Sequence, residues 1–174
     1  MKKWQESFII SFVIFLFLLS LVVLIKELML MNGPVNVLTD GAVTAVFDEE
    51  AGTLTFSGNG AVDGTRFWME KFRREEKVRV RTIIFEDGIT SVGASEFSND
   101  KGYINLEKVI FRGDIVAIGE YAFVDNYTLA TVEFDGACWA IGKMAFYRCA
   151  SLEDINTPEG CLVFEDAFGR TFIE

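Results

Sequence analysis

A 23-residue spacing repeated along the second half of the chain restricts its fold more than any other feature. LEKVIFRGDIVAIGEYAFVDNYT begins at Leu106, LATVEFDGACWAIGKMAFYRCAS at Leu129 and LEDINTPEGCLVFEDAFGRTFIE at Leu152. An earlier segment, VRTIIFEDGITSVGASEFSNDKGYIN, begins at Val80 and holds three extra residues after its Phe. Val80, Leu106, Leu129 and Leu152 open the units, and Ile83, Val109, Val132 and Ile155 follow three residues later. Val92, Ile118 and Ile141 come next, each followed by a glycine (Gly93, Gly119, Gly142), and then Phe97, Phe123 and Phe146. The last unit lacks one residue, so Val163 and Phe168 take the equivalent places and Phe164 stands where the glycine should be. A single unit of this size cannot bury its own apolar side. Stacked units bury it against one another in a continuous core. The glycine implies a turn of positive φ or a close backbone approach, and the Phe closes the core from the opposite side.

This pattern resembles the BspA-type leucine-rich repeat, whose unit runs roughly L-x-x-V-x-I-P-x-x-V-x-x-I-G-x-x-A-F-x-x-C. The A-F pairs are Ala122-Phe123, Ala145-Phe146 and Ala167-Phe168; in the first unit Glu96 replaces the alanine. GTLTFSGNGAV at 52–62 and Phe67-Trp68 look like the segment that often precedes such repeats, so the resemblance covers roughly residues 40–174. It implies adhesion or recognition of a protein partner. It also implies that Cys149, which matches Asp100, Asn126 and Thr171, points inward and satisfies turn backbone groups. Cys138 and Cys161 fall at the place held by Ile115 and read as structural.

The first 32 residues are different. Sixteen of the nineteen residues at 7–25 are Leu, Ile, Val or Phe, the other three are Ser, and no charge interrupts them. As a helix this run spans about 28 Å, enough for the hydrocarbon core of a bilayer. It is longer than the apolar region of a secretory signal and lacks a small-x-small cleavage site. An uncleaved anchor embedded in the lipid bilayer is expected. Lys2 and Lys3 lie on the short side, whereas Lys26 and Glu27 cancel on the other, so the rule that basic flanks stay inside puts the N-terminus in the cytoplasm and the repeats outside.

The expected fold class is mainly β: a short leucine-rich-repeat solenoid of about four 23-residue units. An N-terminal β-hairpin and helical cap precede it, and one transmembrane helix precedes these. The expected boundaries are 1–31 for the cytoplasmic tip and anchor, 32–42 for a tether, 43–79 for hairpin and cap, and 80–174 for the repeats. VTAVFD at 43–48 and TLTFSG at 53–58 alternate as two strands around EEAG. RFWMEKFRREEKVRVR at 66–81 carries seven basic and three acidic residues. It reads as an amphipathic helix whose Phe67, Trp68 and Phe72 cover the end of the core, or as a contact for anionic headgroups or an anionic partner.

Several function classes are excluded or disfavoured. With no histidine, neither a Ser-His-Asp device nor an imidazole-based zinc site can form. No phosphate loop and no nucleophile elbow is present, so no enzyme, cofactor or metal is expected. Residues 1–32 hold three Lys and two Glu, which leaves 13 basic and 24 acidic side chains on residues 33–174. Such a domain should repel nucleic acid. The three cysteines argue against a disulfide framework.

The candidate partner-binding strip follows from strand alternation. With Ile83/Phe85, Val109/Phe111 and Val132/Phe134 inward, the outward set is Thr82, Ile84 and Glu86; Lys108, Ile110 and Arg112; Thr131, Glu133 and Asp135; and Asp154 and Asn156. Stacking should place Arg112 between Glu86 and Asp135, and Lys108 between Thr82 and Thr131. The strip reads equally as a recognition surface for an unknown protein or surface ligand and as cross-strand charge pairing. Self-association through the repeats is the other functional reading.

Overall fold

The computed structural model describes residues 37–40, 42–63 and 72–171. The expected anchor at 7–25 lies outside them. Among the described residues, no helix is long and apolar enough to cross a membrane.

Each repeat is one coil that lends a strand to each of two sheets. The first sheet holds β1 (Val37–Asp40), β2 (Val43–Asp48), β3 (Thr53–Gly58), β5 (Thr82–Phe85), β7 (Lys108–Phe111), β9 (Thr131–Phe134) and β11 (Asp154–Ile155), in that order. The second holds β4 (Gly60–Val62), β6 (Ile89–Val92), β8 (Ile115–Ile118), β10 (Cys138–Ile141) and β12 (Leu162–Val163). β1, β2 and β3 are antiparallel, and every later pairing in both sheets is parallel.

The register is that of the sequence repeat. Ile83 pairs with Val109 and Val109 with Val132, while Ile118 pairs with Ile141. Three extra residues after Phe97 do not disturb it. A short 3-10 turn, Asn99–Lys101, takes up the slack and closes at Gly102, whose φ of +110° suits glycine. The missing residue of the last coil falls between β11 and β12. Asp154 sits 23 residues beyond its partner Thr131, but Leu162 only 22 beyond Ala140.

Two features differ from the sequence expectation. Residues 37–40, expected in the tether, form β1, which pairs antiparallel with Val43–Val46. Each coil also has two strands, not one. The second strands are buried at their first and fourth residues, with the middle pair turned out or half-buried. That spacing carries no period of two, so it does not read as a strand in the sequence. Thr53–Val62 supplies both β3 and β4, and the expected hairpin is therefore also the first coil.

Stacked coils bring equivalent side chains together at about the 4.8 Å spacing of neighbouring strands, and two aromatic columns result. Phe56, Phe85, Phe111 and Phe134 stack with centroids 5.4, 4.9 and 5.0 Å apart. Phe97, Phe123, Phe146 and Phe168 stack at 5.5, 5.1 and 5.5 Å. Val80, Leu106, Leu129 and Leu152, which open the coils, are fully buried. At the N-terminal end Phe72 meets Phe47 edge-on at 5.1 Å, just before a single helical turn, α1 (Arg74–Lys77). Phe72 thus covers core as expected; Phe67 and Trp68 lie outside the described residues. Lys77 is buried over the Tyr103 ring at 5.9 Å, and burial lowers its pKa, helped by Lys101 and opposed by Glu96.

The inward polar position is occupied as the resemblance implies. Asn126 is fully buried and donates to the carbonyls of Phe97, one coil back, at 2.7 Å and of Phe123 at 2.9 Å. The Cys149 thiol donates to the Phe123 carbonyl at 3.2 Å, and the Thr171 hydroxyl to that of Phe168 at 2.7 Å. Asn126→Ala should cost roughly 1–3 kcal/mol, because it strips a donor from a buried carbonyl. Urea unfolding of the variant against the parent measures this.

Candidate interaction surfaces

The solenoid presents two outer faces of opposite character. On the first sheet, parallel pairing aligns Thr82, Lys108, Thr131 and Asp154 in one row and Ile84, Ile110 and Glu133 in another. Lys108 reaches diagonally to Glu133 at 2.7 Å, and the Arg112 guanidinium donates to Asp135 at 2.7 Å. That hydrogen bond raises the Arg112 pKa, with the charges of Asp135, Glu86 and Glu133 acting the same way. Arg112 therefore stands between Glu86 and Asp135 as the alternation argument requires, while Lys108 is paired with Glu133 and not with the threonines beside it.

Ile110 corrects the expected strip. It lies on the outer side by register but is only 6% exposed. Lys108 and Arg112 flank it along β7, and their ion pairs to β9 and the residue after it bracket it. Long cationic stems lying along an apolar side chain cover it. Asn156 is exposed and, with Thr131, Glu133 and Asp135, lines a shallow depression of about 240 Å³ beside the shortened β11. Asp154 is placed by its backbone pairing with Thr131.

These ion pairs stand in water and contribute little to folding. Arg112→Met should leave the thermal midpoint close to that of the parent. A large drop would show that the ladder holds the coils together.

The second sheet exposes a face that sequence alternation did not find. Val116 is 52% exposed, Trp139 65%, Leu162 65% and Phe164 52%. Their strands IVAI, CWAI and LV, with ITSV before them, contain no charged residue. Val116 and Trp139 stand in one row by register, with the small residues Ser91, Ala117 and Ala140 lined up beside them and Leu162 in register with Ala140, so the indole of Trp139 stands clear of its neighbours. In a domain this acidic, an uncharged row with an exposed Trp is the departure from a solvated surface that marks contact sites. A signal for it was available: the residue after the repeated Ile or Cys (Ile89, Ile115, Cys138) runs Thr90, Val116, Trp139. It had no structural meaning while that segment read as a turn.

Cys149 is buried, which pushes its thiol up to about 12 and keeps it protonated. Among the described residues no group of three Cys, Asp or Glu could hold a metal ion.

Two sheets built from stacked coils, parallel from β3 onward, define the described residues as a short β-solenoid of about four turns. The model of the BspA type leucine rich repeat region (6 copies) matches residues 71–173, and the chain belongs to that family. It is similar to a crystal structure of a leucine-rich repeat protein from Eubacterium ventriosum, at 19% identity and a TM-score of 0.45 over 70% of this chain and 43% of that one. It is also similar to that of a leucine rich cell surface protein from Faecalibacterium prausnitzii, at 17% identity and a TM-score of 0.45 over 79% and 47%. The chain spans less than half the length of either protein. No curated protein matches it.

Proposed function

We propose that this chain is a membrane-tethered interaction module, not an enzyme, that meets a protein partner through its repeats on the outer side of the membrane. The observation that carries the reading is the exposed, uncharged group of Val116, Trp139, Leu162 and Phe164 on and beside the second sheet. The repeat family supports it, since solenoids work by displaying extended surfaces. Tethering is supported by the uninterrupted apolar run at 7–25 and by the basic residues on its short side. The strip on the first sheet belongs to the same module, with Thr82, Ile84, Glu86, Thr131 and Asn156 at its margins, but its central cations are already paired across strands.

A photo-crosslinking amino acid at position 139 or 116, compared with 112 or 133, tests this in cells carrying the full chain. Adducts to a different polypeptide from 139 and 116 are expected. Adducts at twice the mass of the chain would support self-association instead. Adducts from 112 and 133 alone would move the contact to the charged strip, and none from either face would remove the reading.

A further inference from the structure

The last two coils bring two of the three cysteines together. Cys138 opens β10, Cys161 immediately precedes β12, and β10 and β12 are parallel neighbours through Ala140–Leu162 and Ile141–Val163. Each cysteine lies nine residues after the leucine that opens its coil, Leu129 or Leu152. Cys138 continues the core column of Ile115, with which it is in register. By the register of β10 and β12, Cys161 falls opposite Trp139, one residue along from Cys138, so a strand spacing of about 4.8 Å and one residue step of about 3.3 Å put the two Cα atoms about 6 Å apart, within the range of roughly 4.4–6.8 Å that a disulfide spans. Each thiol makes a long contact to a nearby carbonyl, Cys138 to Ala140 at 3.7 Å and Cys161 to Leu162 at 3.9 Å, and the Cys161 thiol is near enough to help raise the pKa of Cys138. Both are free thiols in this structure.

We propose that Cys138 and Cys161 form a redox-sensitive dithiol that closes to a disulfide and staples the last coil to the one before it, with a small disulfide such as oxidised glutathione as the oxidant. The last coil is where a staple has most to hold. β11 and β12 have two residues each against four in the equivalent strands of the preceding coil, and Leu162, Val163 and Phe164 are exposed. The inference does not depend on which partner the repeats bind.

The chemistry runs in two exchanges. Cys161 is the more accessible of the two. Its thiolate attacks one sulfur of the small disulfide, forms a mixed disulfide and expels a first thiolate. The Cys138 thiolate then attacks Cys161 Sγ, forms the internal disulfide and expels the second. The protein loses two protons and two electrons, and the oxidant is reduced to two thiols. Burial, with the neighbouring Cys161 thiol adding to it, pushes Cys138 up to about 12. Only a small thiolate fraction is present near neutrality, and it rises about tenfold per pH unit below that pKa. The closing step should therefore accelerate steadily between pH 7 and pH 9.

The test treats the purified full chain with oxidised glutathione and then counts thiols under denaturing conditions with a maleimide, mapping them by mass spectrometry. Three free thiols should fall to one, that of Cys149, with Cys138 and Cys161 peptides joined and no glutathione retained. Cys138→Ser should trap a stable glutathione adduct on Cys161, while Cys149→Ser should close as the parent does. Three thiols remaining would overturn the proposal. So would a glutathione adduct that persists on Cys161 at pH 9, or a disulfide-linked dimer through Cys161.

Discussion

Phe123→Ala is expected to lower the unfolding free energy by roughly 3–5 kcal/mol, the range for removing a large buried aromatic side chain. The ring is fully buried and sits between Phe97 at 5.5 Å and Phe146 at 5.1 Å, nearly parallel to both. Truncation opens a gap in the middle of the column. The coils above and below are joined by continuous parallel strands, so they cannot close together to fill it. Domains are typically stable by only about 5–15 kcal/mol, and the variant should be largely unfolded well below the parent's midpoint in urea. Circular dichroism through a urea titration reads the effect. A variant that unfolded with the parent would show that the A-F position is not the core plug that the repeat register makes it.

Gly119→Ala should be damaging for the opposite reason. A Cβ at Gly119 would stand 2.6 Å from the amide nitrogen of Ala94 and from the carbonyl carbon of Gly93, both backbone atoms of the preceding coil. Gly142 is similarly confined, at 2.8 Å from the Glu120 nitrogen and the Ile118 oxygen. Backbone cannot swing aside as a side chain can, so one added methyl must push two coils apart. Overpacking of this kind costs roughly 1–3 kcal/mol, and more where the surroundings are rigid. The repeated glycine thus serves close approach. Positive φ occurs two residues later, at Ser95, Tyr121, Met144 and Asp166. The same titration measures the loss; a Gly119→Ala variant as stable as the parent would mean that the coils are less tightly stacked at this corner.

Much of this architecture is legible in the residues because a solenoid repeats its solutions. One interval fixes the partner of each apolar position, so Val109 with Val132 and Phe123 with Phe146 follow from spacing alone. The inward Asn126 and Cys149 are what the resemblance implies for the position three after the Phe, whereas Asp100 at the same position of the first unit is exposed. What escaped has a physical cause. The second strands β6, β8 and β10 bury their first and fourth residues, a pattern shared with turns, so they were hidden together with the apolar side chains they expose. Ile110 was placed on the outer side by alternation, yet it is buried, and alternation does not encode how flanking side chains cover an outward residue. Residues 37–40 looked like tether because their strand partner is an antiparallel neighbour outside the repeat.

Display of the repeats on the far side of a membrane is the claim on which the proposed function stands, and protease shaving of intact cells tests it most directly. Released peptides are identified by mass spectrometry before and after lysis. Outward display predicts peptides from residues 66–112 from intact cells. Complete protection until lysis would contradict it, and would place the repeats, and whatever meets Trp139, on the inner side.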